Sequence, residues 1–148
     1  AAGLDWLVHR GARLINMSFG LTSDRPVLAA ACRNAEIEGA VLIGAAPAQG
    51  GQVYPAAYEQ VIAVTGDARC APGEFSYHPS ERAEFGACVH APGTKPGEHE
   101  TSGASIAVAH ATRAVAEHLS SNPKATRKDV IEHLKGLCRF HGAERRTR

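Results

Sequence analysis

The sequence contains few aromatic side chains, which account for only 5% of its 148 residues. A hydrophobic core therefore has to be built mainly from small aliphatic side chains, and 44% of the residues are apolar. Small side chains favour the close packing of helices against a sheet. The length predicts one domain over residues 1–148, because domains most often contain about 100–150 residues.

Net charge and long apolar runs are also scarce. The formal net charge is +1 at pH 7, so the composition predicts no nucleic-acid partner. We interpret the basic C-terminus as a solvated end, although it carries Arg145, Arg146 and Arg148. No run of about 18 apolar residues occurs, which predicts that the chain has no membrane span.

The cysteines lack the short spacing of a zinc knuckle or a redox motif, so we predict no metal site built from them. Buried free thiols and a single disulfide both remain open for these residues. They are Cys32, Cys70, Cys88 and Cys138.

Apolar periodicity and helix-breaking residues predict alternating helices and strands. This alternation favours an α/β fold with a parallel sheet flanked by helices. Thr126 is the predicted N-cap of the last helix. Helices are predicted over residues 2–10, 27–38, 102–119 and 127–137, and strands over 13–19, 40–46, 61–65, 75–77 and 88–90.

A Thr-Ser-Gly-Ala-Ser motif over residues 101–105 opens the third predicted helix. The N-terminus of a helix offers free N–H groups and a positive dipole end. Both stabilise negative charge on a carbonyl oxygen under attack, so this is a favourable place for a nucleophilic serine. Taken alone, the motif is weak evidence, because serine and threonine at such a place are more often ordinary helix caps.

Several further segments give the motif its context. They are LINMSFG over residues 14–20, VLIGAAPAQG over 41–50, YPAAYEQVIAV over 54–64, APG over 91–93 and TSGASIAVA over 101–109. In this order they resemble motifs of the subtilisin-like serine proteases, the subtilases. The resemblance covers nearly all of residues 3–134 and corresponds to the C-terminal half of the family's three-layer α/β peptidase domain.

The resemblance implies a serine endopeptidase that forms an acyl-enzyme on Ser102, with the Ser102 backbone N–H as one oxyanion donor. It also implies a peptide or protein substrate. Because members of the family commonly act outside the cytoplasm, it implies such a location for this protein as well. Substrate contacts are implied for an extended strand and for one wall of the primary specificity pocket. The strand residues are Ser18, Phe19 and Gly20, and the wall residues are Ala45 and Ala46.

A cation site is implied as well, for calcium or sodium. Some relatives bind such an ion through backbone carbonyls at the positions of Ala56, Tyr58 and Val61. No other cofactor is expected.

The sequence departs from the family at the oxyanion position. Ala48 stands where the family places an asparagine whose side chain donates to the oxyanion, and Pro47 replaces the preceding glycine. A shift in register would bring Gln49, which can donate, to the same place. Glu100 stands two residues before Ser102, where a negative charge would oppose oxyanion formation.

The general base and the residue that orients it are not found in their motifs either. The chain contains no Asp-Ser/Thr-Gly and no His-Gly-Thr-His sequence, and His99 is the histidine nearest to Ser102 along the chain. Three hypotheses therefore stay open: a peptidase completed by an N-terminal half or a partner chain, a non-catalytic module that binds extended peptides, and an inactive half-domain.

Overall fold

The computed structural model describes residues 1–91 and 103–142. These residues form four helices and six strands, which matches the predicted α/β class. The helices are α1 (Ala2–His9), α2 (Pro26–Ile37), α3 (Ala104–Ser121) and α4 (Arg127–Leu137). The strands are β1 (Leu14–Met17), β2 (Val41–Ala45), β3 (Val61–Gly66), β4 (Phe75–Tyr77), β5 (Phe85–Ala87) and β6 (Cys138–His141).

Local sequence signals set the helix ends. Pro26 is the first residue of α2, where its missing N–H has no intrahelical partner to lose. Gly39 follows α2 with a φ of 84°, which a residue with a side chain rarely adopts. Thr126 caps α4 as predicted: its hydroxyl accepts the Asp129 N–H, and the Asp129 carboxylate accepts the Thr126 N–H.

The strands form one six-stranded sheet in the order β1-β2-β3-β5-β4-β6. The predicted parallel pairing is confirmed for β1, β2, β3 and β5, but β4 runs antiparallel to β5, so the sheet is mixed. The strand predicted over residues 88–90 was placed three positions too late, because the strand in this region is β5 (Phe85–Ala87). Strand β6 was not predicted, because it continues directly from α4 without a glycine or proline to separate them.

Helices cover both faces of this sheet, which confirms the layered architecture. On one face of β2, Ile43 packs in a core with Val108 of α3 and with residues of α4. On the other face, the preceding residue Leu42 packs in a core with Cys32 of α2. This alternation is the two-residue period of a strand that is buried on both faces. The partial α/β fold expected from the sequence is therefore present among the described residues.

All four cysteines are free thiols, which resolves the alternative left open above. Burial raises the pKa of the Cys70 thiol to about 12 and that of the Cys138 thiol to about 11. Such thiols stay protonated at neutral pH and are poor nucleophiles.

Gly86 in β5 lies where no larger residue fits. A Cβ added there would be 2.3 Å from Ser76 Oγ and 2.9 Å from Asp67 Cβ, and both residues are buried. We expect Gly86→Ala to lower the free energy of unfolding by about 1–3 kcal/mol, the usual cost of overpacking.

Gly136 in α4 provides the matched control, because a Cβ there would meet nothing within 4 Å. Gly136→Ala should raise the free energy of unfolding by about 0.5–1 kcal/mol, since alanine favours the helix. Urea denaturation measures both variants, and a Gly86→Ala protein as stable as the wild type would contradict the close contact.

Candidate active site

The carboxyl ends of the parallel strands and the start of α3 meet at one edge of the sheet. A Cβ at Gly66, the last residue of β3, would be 4.0 Å from the carbonyl carbon of Gly103. Gly103 caps α3 with a φ of 154°, a backbone region that favours glycine. Ser102, Thr101, Glu100 and His99 lie outside the described residues, but Ser102 is bonded directly to Gly103.

The predicted substrate strand lies beside this edge, with one correction. Strand β1 ends at Met17, so Ser18, Phe19 and Gly20 follow the strand rather than belong to it. All three are exposed, and the Phe19 side chain is 47% exposed. The Ser18 hydroxyl donates to Asn16 Oδ1 at 3.0 Å. Within the described residues, β1 is an outer strand of the sheet.

The predicted pocket wall, Ala45 and Ala46, lies at the carboxyl end of β2. Ala45 is the last residue of that strand, and Ala46 follows it with an N–H that donates to the Val64 carbonyl at 2.9 Å. Both alanines are buried, at 8% and 1% exposure.

Ala48 lies in the loop that follows this wall, and it is exposed. Two hydrogen bonds that the sequence analysis missed hold this loop against residues 81 and 82. The Arg82 guanidinium donates to the Gly50 carbonyl at 2.9 Å, and the Gln52 amide donates to the Glu81 carbonyl at 3.0 Å. Ala48 itself has no polar side chain to offer, so the loop is positioned but lacks a donor at this residue.

A buried carboxylate follows β3 directly and was also missed from the sequence. Asp67 is 5% exposed, and both of its oxygens accept hydrogen bonds from Arg69, the shortest at 2.7 Å. Burial by itself would raise the pKa of Asp67, but the hydrogen bonds from Arg69 outweigh it and lower the pKa to about 2. A carboxylate with so low a pKa is a weak general base, so Asp67 is a structural anion. Its sequence signal, Asp-Ala-Arg, is too short to be specific.

The described histidines of α3, His110 and His118, contact other histidines rather than a group at the start of the helix. His110 Nε2 is 2.9 Å from the His90 carbonyl, which can only accept, so this nitrogen carries the proton. His118 stacks on His133 of α4, with ring centroids 4.0 Å apart. At 1.5 Å per residue, His118 lies about 22 Å along α3 from Gly103, too far to act on a group at the helix start.

The carbonyls predicted to bind a cation come from one segment. The Tyr58 carbonyl accepts the Val61 N–H at 3.0 Å, which leaves it one lone pair. Backbone oxygens suit calcium and sodium, so Ala56, Tyr58 and Val61 remain a predicted site for such an ion. Among residues 1–91 and 103–142, no group of three or more His, Cys, Asp or Glu residues could hold a metal ion. No helix in those ranges is long and apolar enough to cross a membrane.

Comparison with known proteins agrees with this geometry. The model of the subtilase family matches residues 1–137. The thermostable alkaline protease of Halalkalibacterium halodurans is 30% identical over 148 residues, covering 97% of this chain and 41% of that protein. Subtilisin DY of Bacillus licheniformis is 32% identical over 146 residues, covering 93% of this chain and 53% of that protein. Subtilisin Savinase of Lederbergia lenta is 29% identical over 148 residues, covering 97% of this chain and 55% of that protein.

The chain thus spans about half of these relatives, or less. The family match begins at Ala1, the N-cap of α1, and ends at Leu137, the last residue of α4. It therefore includes every helix and strand of the described residues except β6. The order of the elements, the meeting of α3 with the strand ends and the extent of this match lead to one conclusion. The chain belongs to the subtilase family.

Proposed function

We propose that residues 1–148 form the C-terminal part of a subtilisin-type serine endopeptidase domain, with Ser102 as its nucleophile. The single observation that carries the proposal is the approach of the end of β3 to the cap of α3, where a Cβ added to Gly66 would lie 4.0 Å from the carbonyl carbon of Gly103. It brings the start of α3, whose residue before the cap is Ser102, to the edge where β1 and β2 also end.

In the proposed reaction the Ser102 hydroxyl oxygen attacks a peptide carbonyl carbon while its proton passes to a base. The N–H groups at the start of α3 stabilise the oxyanion. The base returns the proton to the leaving amine, and an acyl-enzyme remains on Ser102. Water then attacks the acyl carbon and gives up a proton to the same base, which releases the acid and the free serine.

We infer that the base and its orienting residue come from outside these 148 residues, because neither of the family's motifs for them occurs in the sequence. A serine without a base is a weak nucleophile at neutral pH. We therefore infer a histidine and an aspartate on another part of the same protein or on a partner chain. The name of one relative, the minor extracellular protease Epr of Bacillus subtilis, supports a location outside the cytoplasm.

The substrate in this proposal is an extended peptide that runs along Ser18, Phe19 and Gly20. Their exposure leaves their backbone groups open to a second strand. Ala45 and Ala46 would line the pocket for the side chain that precedes the cleaved bond. This arrangement makes the substrate a peptide or protein.

A fluorophosphonate probe tests the nucleophile. Added to the protein as encoded in its natural gene, the probe should label Ser102, and the variant Ser102→Ala should not be labelled. Ser105→Ala is the matched control, because Ser105 lies in the same motif and is exposed on α3. Labelling that persists in Ser102→Ala, or none in the wild type, would overturn the proposal.

A second function is favoured by Ala48, which leaves the fastened loop without a side-chain oxyanion donor. The chain would then hold extended peptides against residues 18–20 without cleaving them. In that case peptides bind with the same affinity to the wild type and to Ser102→Ala, and they are recovered intact after incubation.

A further inference from the structure

Two histidine rings stack on each other where α4 packs against α3. The rings of His118 on α3 and His133 on α4 have centroids 4.0 Å apart and planes inclined by 20°. Both side chains are half-buried. Helix α4 is held in the core by Val130 and Leu134, which are fully buried. Because the ring pair bridges the two helices, any repulsion between the rings opposes this packing.

The contacts of His118 favour its neutral form. The Asn122 amide nitrogen donates to the His118 carbonyl at 3.1 Å and lies 3.5 Å from His118 Nδ1, so Nδ1 faces a donor and has to offer a lone pair. The other ring nitrogen, Nε2, is buried and has no hydrogen-bond partner among the described residues. Protonation would turn Nδ1 into a second donor that faces the amide donor.

The position of His133 favours its neutral form as well. Burial lowers the pKa of His133 below its ordinary value of 6.5, and the charge of His118 lowers it further. Two positively charged rings this close repel each other, and partial burial reduces the screening by water and salt. Helix α4 is therefore packed best while the rings are neutral.

The carboxylates on α4 that lie near the pair have other partners. Asp129 and Glu132 line the same cavity as His118. Asp129 accepts hydrogen bonds from the N–H and the hydroxyl of Thr126, and Glu132 pairs with Lys135 at 3.0 Å. Hydrogen bonds from Thr126 lower the pKa of Asp129, and the charge of His118 contributes to this as the smallest effect. Asp129 thus attracts a protonated His118 only across the cavity.

The remaining charges near the pair cancel or oppose protonation. On α3, Glu117 and Arg113 pair with each other at 2.9 Å. Lys124, which lies between α3 and α4, lines the cavity beside His118 and carries a positive charge. A proton on the pair therefore gains no counter-ion in direct contact with it.

We propose that His118 and His133 form a pH-sensitive clasp, which holds α4 on α3 while the rings are neutral and loosens it in mild acid. The inference goes beyond the proposed chemistry and does not depend on it. Because the pKa of His133 is lowered in the closed form, the open form takes up the proton first. The stabilisation is therefore complete above about pH 6.5 and is lost as the pH falls below that value.

Loosening of α4 reaches two other parts of the chain. Arg127, the first residue of α4, donates to the Glu59 carbonyl in the segment before β3. Strand β6 continues directly from the last residue of α4. We therefore expect β6 to open together with the helix.

Hydrogen exchange tests the clasp in the protein as encoded in its natural gene. Exchange of the α4 amides is followed by mass spectrometry between about pH 7.5 and pH 5 and is corrected for the intrinsic exchange rate at each pH. The opening constant of α4 should rise as the pH falls below 6.5, by up to about 10-fold per pH unit for one linked proton. The α2 amides should show no such rise. An α4 opening constant that does not rise overturns the inference.

Substitution of the rings identifies the groups responsible. His133→Gln should lose most of the pH dependence of α4 opening, and the double variant His118→Gln, His133→Gln should lose the rest. His9→Gln is the matched control, because His9 is exposed on α1, and it should keep the full dependence. An equal rise in His133→Gln and in the wild type overturns the inference.

Proton NMR of the wild-type histidine rings decides the question even where a variant fails to fold. The pKa of His133 should lie below 6.5, and a pKa at or above 6.5 overturns the inference. None of these readouts requires hydrolysis. A failure of the clasp therefore leaves the peptidase proposal standing, and a failure of the peptidase proposal leaves the clasp standing.

Discussion

Replacing Ala48 by asparagine is expected to raise kcat for peptide hydrolysis by about 10²–10³-fold, the range known for one oxyanion donor in subtilisin, a member of the same family. Ala48 is exposed in the loop that follows the pocket wall, so the longer side chain has room. The loop is fastened by Arg82 at Gly50. The added amide would therefore be held on a positioned backbone and could donate to the developing oxyanion.

Ala48→Asp is the matched control, because aspartate has the shape of asparagine but cannot donate as a carboxylate. It should give no gain, and its charge should lower the rate. Steady-state kinetics with one peptide substrate compare the three proteins. A rate for Ala48→Asn equal to that of the wild type, with Ser102 still labelled by the probe, would mean that another group already donates. Gln49→Ala would then lower kcat if Gln49 is that group.

The fold could be predicted where burial dominates the sequence pattern. Strand β2 is buried at every position, and its continuous apolar run predicts a central strand. Helix α4 has the predicted bounds because a capping threonine and an amphipathic pattern mark them. The direction of β4 was not predictable, since three residues carry no information about the strand that they pair with.

The sequence predicts a candidate site only where a motif marks it. The segment around Ser102 has a recognisable pattern, and so does the end of β2. Arg82 and Gln52 act through contacts between loops that are distant in sequence, and loops have no periodicity that reveals their partners. Their roles follow from the folded arrangement alone.

Asp67→Asn is expected to lower the free energy of unfolding by about 3 kcal/mol. Breaking a buried ion pair costs about 3–5 kcal/mol, and the Arg69 side chain, which is 22% exposed, places the loss at the low end. Asp67 also accepts a hydrogen bond from the Arg69 backbone N–H. The Arg69 guanidinium in turn donates a hydrogen bond to the carbonyl of Gly142, the residue that follows β6. The substitution therefore loosens β3 and the last strand together.

The pH dependence separates this charge effect from a loss of packing. The pKa of Asp67 is about 2 in the folded chain, below its ordinary value of 3.8, so its ionised form stabilises the fold at pH values above about 4. That stabilisation, about 2 kcal/mol, is lost as the pH falls from 4 through 2, because the unfolded chain takes up the proton first. The asparagine variant has no such proton to bind.

Urea denaturation at pH 6 and at pH 3 measures the difference. The difference in unfolding free energy between the wild type and Asp67→Asn should be about 1 kcal/mol smaller at pH 3 than at pH 6. The reason is that pH 3 lies about midway between the pKa of Asp67 in the folded chain and its ordinary value. Asp5→Asn on α1 is the control, because Asp5 is exposed, and it should change stability by about 0.5 kcal/mol or less. A gap that stays constant between the two pH values would show that Asp67 stabilises the fold by its shape and hydrogen bonds rather than by its charge.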